Sequence, residues 1–325
     1  MEYKILGKTG LKVSAIGFGA WAIGGNMWGP QDDNDSIAAI NKALDLGVNF
    51  IDTALAYGNG HSEEIIGRVL KERKTKREDI YIATKIPPTS WPPPPYSQAK
   101  DAFPKAKLIS SVEQSLRNLD TDYVDLIQLH SWRENWTNDT DWYETLTELK
   151  EKGKVRFIGI SVHDNMEDEA LGLIETGRTD TIQVVYNALS QTPQKNLFPL
   201  AIKHNIGIIA RVPLAYGALT GKFTKETTFA SSDFRKNKYT GEGLDNILKK
   251  VQEFKSIIDS EEKLKLLSAA LNFALDHEAV SVTIPGMRNI KQAEENCSIF
   301  EKDRLISEET IKKLYALSLI TANTQ

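Results

Sequence analysis

Residues 49–67 read NFIDTALAYGNGHSEEIIG, and the interpretation of this stretch decides the fold. Its first residues form an apolar strand that stops on a carboxylate, Asp52. Tyr57 follows five residues later, and Gly58, Gly60 and Ser62 then turn the chain into a helix. Ser62 is the expected N-cap, and Glu63 and Glu64 fall in the first turn, where carboxylates favour the positive end of the helix dipole. A strand that runs through a short glycine-rich turn into an amphipathic helix is a βα unit.

The same rhythm continues in both directions. An N-terminal hairpin is expected from Tyr3–Leu6 and Lys12–Ser14 around the KTG turn, followed by a first strand at AIGFG. The helix Asp35–Leu46 ends at Gly47, a C′ glycine, and leads into the strand that ends on Asp52. IYIATK reads as strand three. A helix over Lys107–Leu119 precedes VDLIQLH, and a helix over Trp142–Lys152 precedes VRFIGIS. The later strands are IQVVYN, GIIARVP and SVTIPG, the last after one long helical region, Asp245–His277. Eight apolar strands spaced by helices specify a parallel sheet buried on both faces, here closed into a single (β/α)8 barrel domain spanning residues 1–325. An open Rossmann sheet is the competing architecture, but Gly17, Gly19, Gly24 and Gly25 do not spell G-x-G-x-x-G, and there is no P-loop.

Composition narrows the function. With 41% hydrophobic and 26% charged residues the chain is an ordinary globular one, and a net charge of −4 with dispersed lysine and arginine leaves no footprint for nucleic acid. The single cysteine, Cys297, excludes an intramolecular disulfide, and no Cys/His cluster has metal-ligand spacing. No signal peptide or membrane-crossing apolar run is present, so the expected location is the cytoplasm, with no membrane partner.

In a barrel, chemistry belongs to polar residues at the C-terminal ends of strands and to the loops that follow. Those residues are Asp52, Lys85, His130, Ser161, Gln183, Asn187 and Arg211. Two segments are long enough to be functional loops: Pro87–Pro104 after strand three, containing the tetraproline Pro92–Pro95, and the region Leu214–Gly243 after strand seven. Each residue also has an ordinary reading: Asp52 closing its turn, Lys85 at the rim, His130 as a satisfied half-buried imidazole, Tyr57 as packing. Together, however, Asp52 and Lys85 form a costly buried ion pair, and an ammonium beside Tyr57 would lower the pKa of its phenol and make it a proton donor. A histidine at the next strand end could hold a carbonyl oxygen in place.

At these residues the chain resembles the aldo-keto reductase superfamily. The matching stretches run in order along almost the whole chain: GFGAWAIGG, IDTALAYGNGHSEEIIG, IATK, SLRNLDTDYVDLIQLH, KGKVRFIGIS, PLAYGALTGKF and IPGMRN. The resemblance implies a (β/α)8 barrel that reduces aldehydes or ketones with a nicotinamide cofactor, NADPH in preference to NADH, and a catalytic tetrad of Asp52, Tyr57, Lys85 and His130. It implies a cofactor site that draws on Gly19, Ala20, Trp21, Asp52, Ser161, Gln183, Arg211 and Pro213. The PLAYGALTGKF loop, with Leu214, Gly217, Leu219, Gly221 and Lys222, would wrap the pyrophosphate. Gly286, Arg288, Gln292, Glu295 and Asn296 would hold the adenosine end, with Arg288 suited to a 2′-phosphate.

The substrate would be a small carbonyl compound bounded by Trp21, Tyr57, Trp91, His130 and Trp132, with Trp136 or Tyr96 as further walls. Two departures stand out. Val162 occupies the place where the family commonly has asparagine, leaving His163 or Asp164 to make its contact. Arg211 stands where many relatives have an aromatic residue under the nicotinamide. The alternative function is that of a regulatory subunit like the channel-associated β subunits, which keep the barrel and the cofactor.

Overall fold

The computed structural model describes residues 1–25, 27–261, 264–301 and 306–322. The chain opens with an antiparallel hairpin, β1 (Tyr3–Ile5) and β2 (Lys12–Ser14). Eight parallel strands follow: β3 (Phe18–Gly19), β4 (Phe50–Asp52), β5 (Tyr81–Ile86), β6 (Val124–Leu129), β7 (Val155–Ser161), β8 (Thr181–Val185), β9 (Gly207–Arg211) and β10 (Val280–Thr283). They pair strictly in sequence order from β3 to β10. The two end strands meet: Ile16 bridges Thr283, Gly19 bridges Gly286, and the Gly17 amide donates to the Thr283 carbonyl at 2.8 Å. Gly19 makes that seam possible, because a Cβ there would lie 2.5 Å from the Ile284 carbonyl oxygen. The result is the expected (β/α)8 barrel with its N-terminal hairpin.

Alternation along the strands builds two cores. Phe50, Ala83, Leu126, Ile209, Val282 and Ile284 fill the barrel interior together with Leu6, Leu11 and Val13 of the hairpin, which plugs the N-terminal end. The opposite parity, including Ile51, Ile82, Ile127 and Ile158, packs outward against the helices. Continuing the inward parity towards the C-terminal ends of the strands gives Asp52 after Phe50, Lys85 after Ala83, Gln128 after Leu126 and Arg211 after Ile209. The interior therefore turns from apolar to polar within two residues along each of these four strands.

Helical boundaries follow the sequence closely, with one correction. The helix after β4 spans His61–Glu72, and its N-cap is Gly60 in the left-handed region (φ 98°), not Ser62. Ser62 instead donates to the Ala20 carbonyl (3.0 Å) and shares a hydrogen bond with Thr53 (2.9 Å), pinning the helix to the strand ends. Glu63 turns inward with it, fully buried, accepting from Thr84 and Asn118. The expected helical region Asp245–His277 consists of two helices, Glu242–Glu261 and Leu266–Asp276. Among the described residues no helix is long and apolar enough to cross a membrane.

Candidate active site

A cavity of about 820 Å³ opens at the C-terminal ends of the strands, within the size range of small-molecule sites. Asp52, Ser161, Gln183 and Arg211 reach it from β4, β7, β8 and β9, and Tyr57, Trp91, His130, His163 and Asp164 reach it from the loops that follow β4 to β7.

Lys85 lies just behind the wall, fully buried, and spends its three N–H groups on three acceptors. Its Nζ donates to Asp52 Oδ2 at 2.6 Å, to the Thr53 carbonyl at 2.7 Å and to the Tyr57 hydroxyl at 3.3 Å. Burial works against the ammonium, but Asp52 and then Tyr57 outweigh it and hold the Lys85 pKa above its ordinary value. Asp52 Oδ1 is covered by two amides, Gln183 Nε2 at 2.6 Å and Gln128 Nε2 at 3.3 Å. Three donors thus reach the two oxygens of this buried carboxylate, as a charge in a low-dielectric interior requires.

Tyr57 does not titrate as the sequence suggested. Its hydroxyl is half-buried at the cavity wall, and desolvation raises its pKa by more than Lys85 lowers it, so the phenol stays protonated above its ordinary range. The backbone at Tyr57 is closely packed: a Cβ at Gly24 would stand 2.8 Å from the Tyr57 carbonyl carbon, so only glycine lets the loop after β3 approach. That approach brings Trp21 into a stack on Tyr57 with centroids 6.1 Å apart. The His130 ring meets Tyr57 edge-on at 5.7 Å. Burial first, then Lys85 and Arg211, push the His130 pKa well below its ordinary value, so the imidazole is neutral. Its Nδ1 is buried and meets no hydrogen-bonding group of the described residues, and the residue lines the cavity.

The loop after β5 places Trp91 at the cavity wall, edge-on to His130 at 4.8 Å and to His163 at 5.7 Å. Arg133 tethers the loop by donating to the Pro93 carbonyl at 3.3 Å. Tyr96 points away and is almost fully exposed. Trp132 and Trp136 are not cavity walls: both are fully buried, edge to face with each other, and Trp132 packs on Trp142 of the following helix. A ring next to a strand end can turn towards the helices as readily as into the barrel mouth, and these two do.

Of the residues expected to hold a cofactor, Gly19, Trp21, Asp52, Ser161, Gln183, Arg211, Pro213, Leu214, Gly217, Lys222, Gly286, Arg288, Gln292, Glu295 and Asn296 line the cavity. Ala20, Leu219 and Gly221 are not among its walls. Ala20 and Leu219 are buried, and Gly221 closes the short helix Ala215–Thr220 in the left-handed region. Arg288 reaches the wall with its guanidinium already oriented, donating to Gln31 Oε1 at 2.6 Å and to the Pro30 carbonyl.

Three features escaped the sequence. Gln128 shares the inward parity of Lys85, a signal that was there to be read. Arg211 is clasped by its surroundings, donating to the Val162 carbonyl (2.9 Å) and to Asp164 Oδ1 (2.7 Å), while the Tyr216 hydroxyl donates to Asp164 Oδ2 (2.8 Å). Between those two partners of Arg211 in the chain, and part of the same wall, His163 shares a 2.7 Å hydrogen bond with Ser131. The third is an aromatic roof in which Trp21, Trp28 and Phe234 meet at 5.1–5.2 Å, joined by the bridge between Trp28 and Asp233.

A closed parallel barrel with a polar, ion-paired cavity at its C-terminal mouth defines a (β/α)8 protein of enzyme type. The sequence model of the Aldo/keto reductase family matches residues 15–318, and the chain belongs to that family. It is 34% identical to the aldo-keto reductase YhdN of Bacillus subtilis over 90% of this chain and 87% of that one. It is also 31% identical to a probable voltage-gated potassium channel subunit beta of Arabidopsis thaliana, over 97% and 95% of the two chains. Among solved structures, the glycerol dehydrogenase of Gluconobacter oxydans superposes with a TM-score of 0.78 at 30% identity, covering 97% of this chain and 94% of the other. Membership of the family supports carbonyl reduction by an oxidoreductase.

Proposed function

We propose that this protein reduces an aldehyde or ketone to the alcohol with NADPH as hydride source and Tyr57 as proton donor. The observation that carries the reading is the Lys85 ammonium, buried and bonded at once to Asp52 (2.6 Å) and to the Tyr57 hydroxyl (3.3 Å) at the wall of a cavity that His130 shares. A buried ion pair is weak evidence for stability; one whose remaining donor is aimed at a phenol fits acid catalysis.

The residues present fit a dinucleotide. The cavity wall is open at Gly286, where an added Cβ would meet nothing within 4 Å, and cationic and amide groups flank it. Ser161 and Gln183 would hold the nicotinamide end, Lys222 the pyrophosphate, and Arg288, Gln292 and Asn296 the adenosine end. Gln183 can offer its carbonyl oxygen, because its amide nitrogen is committed to Asp52. The preset Arg288 guanidinium suits a 2′-phosphate and supports NADPH over NADH. When bound, the cofactor supplies the hydride.

The chain's own residues do the rest. His130, a neutral imidazole, donates to the carbonyl oxygen and fixes it beside Tyr57. The Tyr57 proton moves to that oxygen as negative charge develops there. Lys85 stabilises the phenolate left behind, and Asp52, with its two amides, keeps Lys85 charged. The aromatic roof and Trp91 limit water at the reacting oxygen.

Oxidation of NADPH in the presence of a panel of aldehydes and ketones tests the reading, with Tyr57→Phe as control. A loss of turnover by a factor of about 10²–10⁴ on the substitution is expected. No turnover with any carbonyl, or turnover left undiminished by Tyr57→Phe, would overturn it and favour the regulatory-subunit alternative, to which the channel-subunit relative lends weight. Titration of tryptophan fluorescence with NADPH and NADH tests the cofactor preference, and Arg288→Gln is expected to weaken NADPH selectively.

A further inference from the structure

We propose that Arg211 discriminates between the two oxidation states of the cofactor: its guanidinium stands beside the nicotinamide end of the site, so NADPH, whose ring is neutral, is held more tightly than NADP⁺, whose ring is a cation. This rests on the cofactor reading above and adds to it the residue that tells the two forms apart.

The two forms carry the same phosphates and differ by one positive charge on the ring, so only charges close to the ring can separate them. Arg211 is tied to both residues assigned to that end. It closes β9, and its Nη2 donates at 2.9 Å to the carbonyl of Val162, the residue after Ser161. The Val162 amide donates in turn to the Gln183 carbonyl at 3.0 Å. Ser161, Gln183 and Arg211 share the cavity wall.

The guanidinium is fixed in place, yet its charge is only partly answered. Both of its hydrogen bonds leave Nη2, the second going to Asp164 Oδ1 at 2.7 Å. Nε is buried without a partner, and Nη1 makes no hydrogen bond among the described residues. The counter-ion lies towards solvent: the Asp164 side chain is 43% exposed against 19% for Arg211. Water therefore screens the carboxylate more than it screens the cation. After burial and the Lys85 charge, Arg211 also acts on the reacting residues, favouring the phenolate of Tyr57 and disfavouring the imidazolium of His130.

The other charges near this end cancel more completely or lie elsewhere. Asp52, which would favour a cationic ring, is bonded to Lys85 at 2.6 Å and covered by two amides. Lys85 places its N–H groups on three acceptors. His130 and His163 are shifted towards their neutral forms by burial. Lys222 and Arg288 belong to the pyrophosphate and adenosine parts, where the two forms are identical. What remains beside the ring is a held, incompletely paired cation, and it repels the oxidised form. Many relatives carry an uncharged aromatic residue at this position, so the discrimination is a property of this chain.

Titration of tryptophan fluorescence with NADPH and with NADP⁺ reads the two dissociation constants without turnover. The unaltered protein should bind NADP⁺ at least about tenfold more weakly than NADPH. Arg211→Gln removes the charge and should lower that ratio about tenfold, whereas Arg211→Lys keeps the charge and should keep most of the ratio. Asp164→Asn takes the counter-charge from Arg211 and should raise the ratio about threefold or more. A merely structural role would weaken both forms together, so opposite shifts at two neighbouring residues are the mark of charge. Equal binding of the two forms by the unaltered protein overturns the proposal, and so does a ratio that Arg211→Gln fails to lower or Asp164→Asn fails to raise. Should Arg211→Gln not fold, Arg211→Lys and Asp164→Asn still decide. If neither form binds the unaltered protein, the cofactor reading fails and this proposal with it; if both bind and the ratio ignores Arg211, the proposal alone fails.

Discussion

Two buried aspartates mark the two ends of the barrel, and they do opposite things. Asp125 sits near the start of β6, 1% exposed, and receives Arg77 at 2.7 Å, Arg156 at 2.6 Å and the Ile82 amide at 2.9 Å. It clamps β5, β6 and β7 together at the closed end. Its guanidinium partners reach towards solvent, and Arg77 spends its other donors on Thr121, the Ile80 carbonyl and the Tyr123 carbonyl. Asp52 sits at the end of β4 and receives one ammonium and two amides. There the cation is fully enclosed, and its remaining donor goes to a phenol on a cavity. Burial and pairing are common to both sites. What separates structure from chemistry is the place where the cation's last hydrogen bond is spent, and the rule that barrel chemistry gathers at the C-terminal mouth follows from that direction.

Substitution can break the comparison at either end. Lys85→Met should show the largest effect, because it removes the partner of Tyr57 and strands Asp52 without its cation. A rate loss of roughly 10²–10⁴ is expected, together with destabilisation of about 3–5 kcal/mol, read by NADPH oxidation and by urea unfolding. Tyr57→Phe should lose a similar rate factor, about 10²–10⁴, while stability changes by no more than about 1 kcal/mol, since one half-buried hydroxyl with a single long hydrogen bond is removed. Asp125→Asn should reverse that profile: roughly 3 kcal/mol of stability lost, because two guanidinium groups lose their anion, with turnover per folded molecule unchanged. Equal rate losses for Asp125→Asn and Tyr57→Phe would show that the two ends are not separable.

The sequence carried much of this division, for identifiable reasons. Strand order, the strand-end placement of Asp52, Lys85 and His130, and the hairpin depend on local periodicity, which one chain displays in full. Parity along a strand even told which residues face inward, and with it Gln128 could have joined Asp52 and Lys85. Three other properties depend on balances or on directions that no local pattern fixes. Trp91 and Trp132 both follow strand ends, yet one ring turns to the mouth and the other to the helices. The pKa of Tyr57 depends on whether desolvation or the Lys85 charge prevails, and the surroundings of the hydroxyl decide it. The partnership of Arg211 with Asp164 spans 47 residues, and Tyr216 joins it from a left-handed backbone position (φ 56°) that its sequence does not announce.

The smallest expected effect concerns His130, and it is a pH effect. Its native pKa lies well below the ordinary value because burial, Lys85 and Arg211 all disfavour the imidazolium. The unfolded chain, with a histidine near 6.5, therefore takes up a proton at higher pH than the folded one. Stability attributable to this residue is full above about pH 6.5 and falls as the pH drops from there towards the lowered native value. Urea unfolding at pH 7.5 and 5.5 should show a larger acid-side loss for the unaltered protein than for His130→Gln, which has no proton to take up. The amide keeps a donor for the carbonyl oxygen, so the substitution isolates the charge from the hydrogen bond. If the two proteins lose stability in parallel, the proton is not excluded at His130, and the neutral donor at the mouth is no longer the counterpart of the charged clamp at the base.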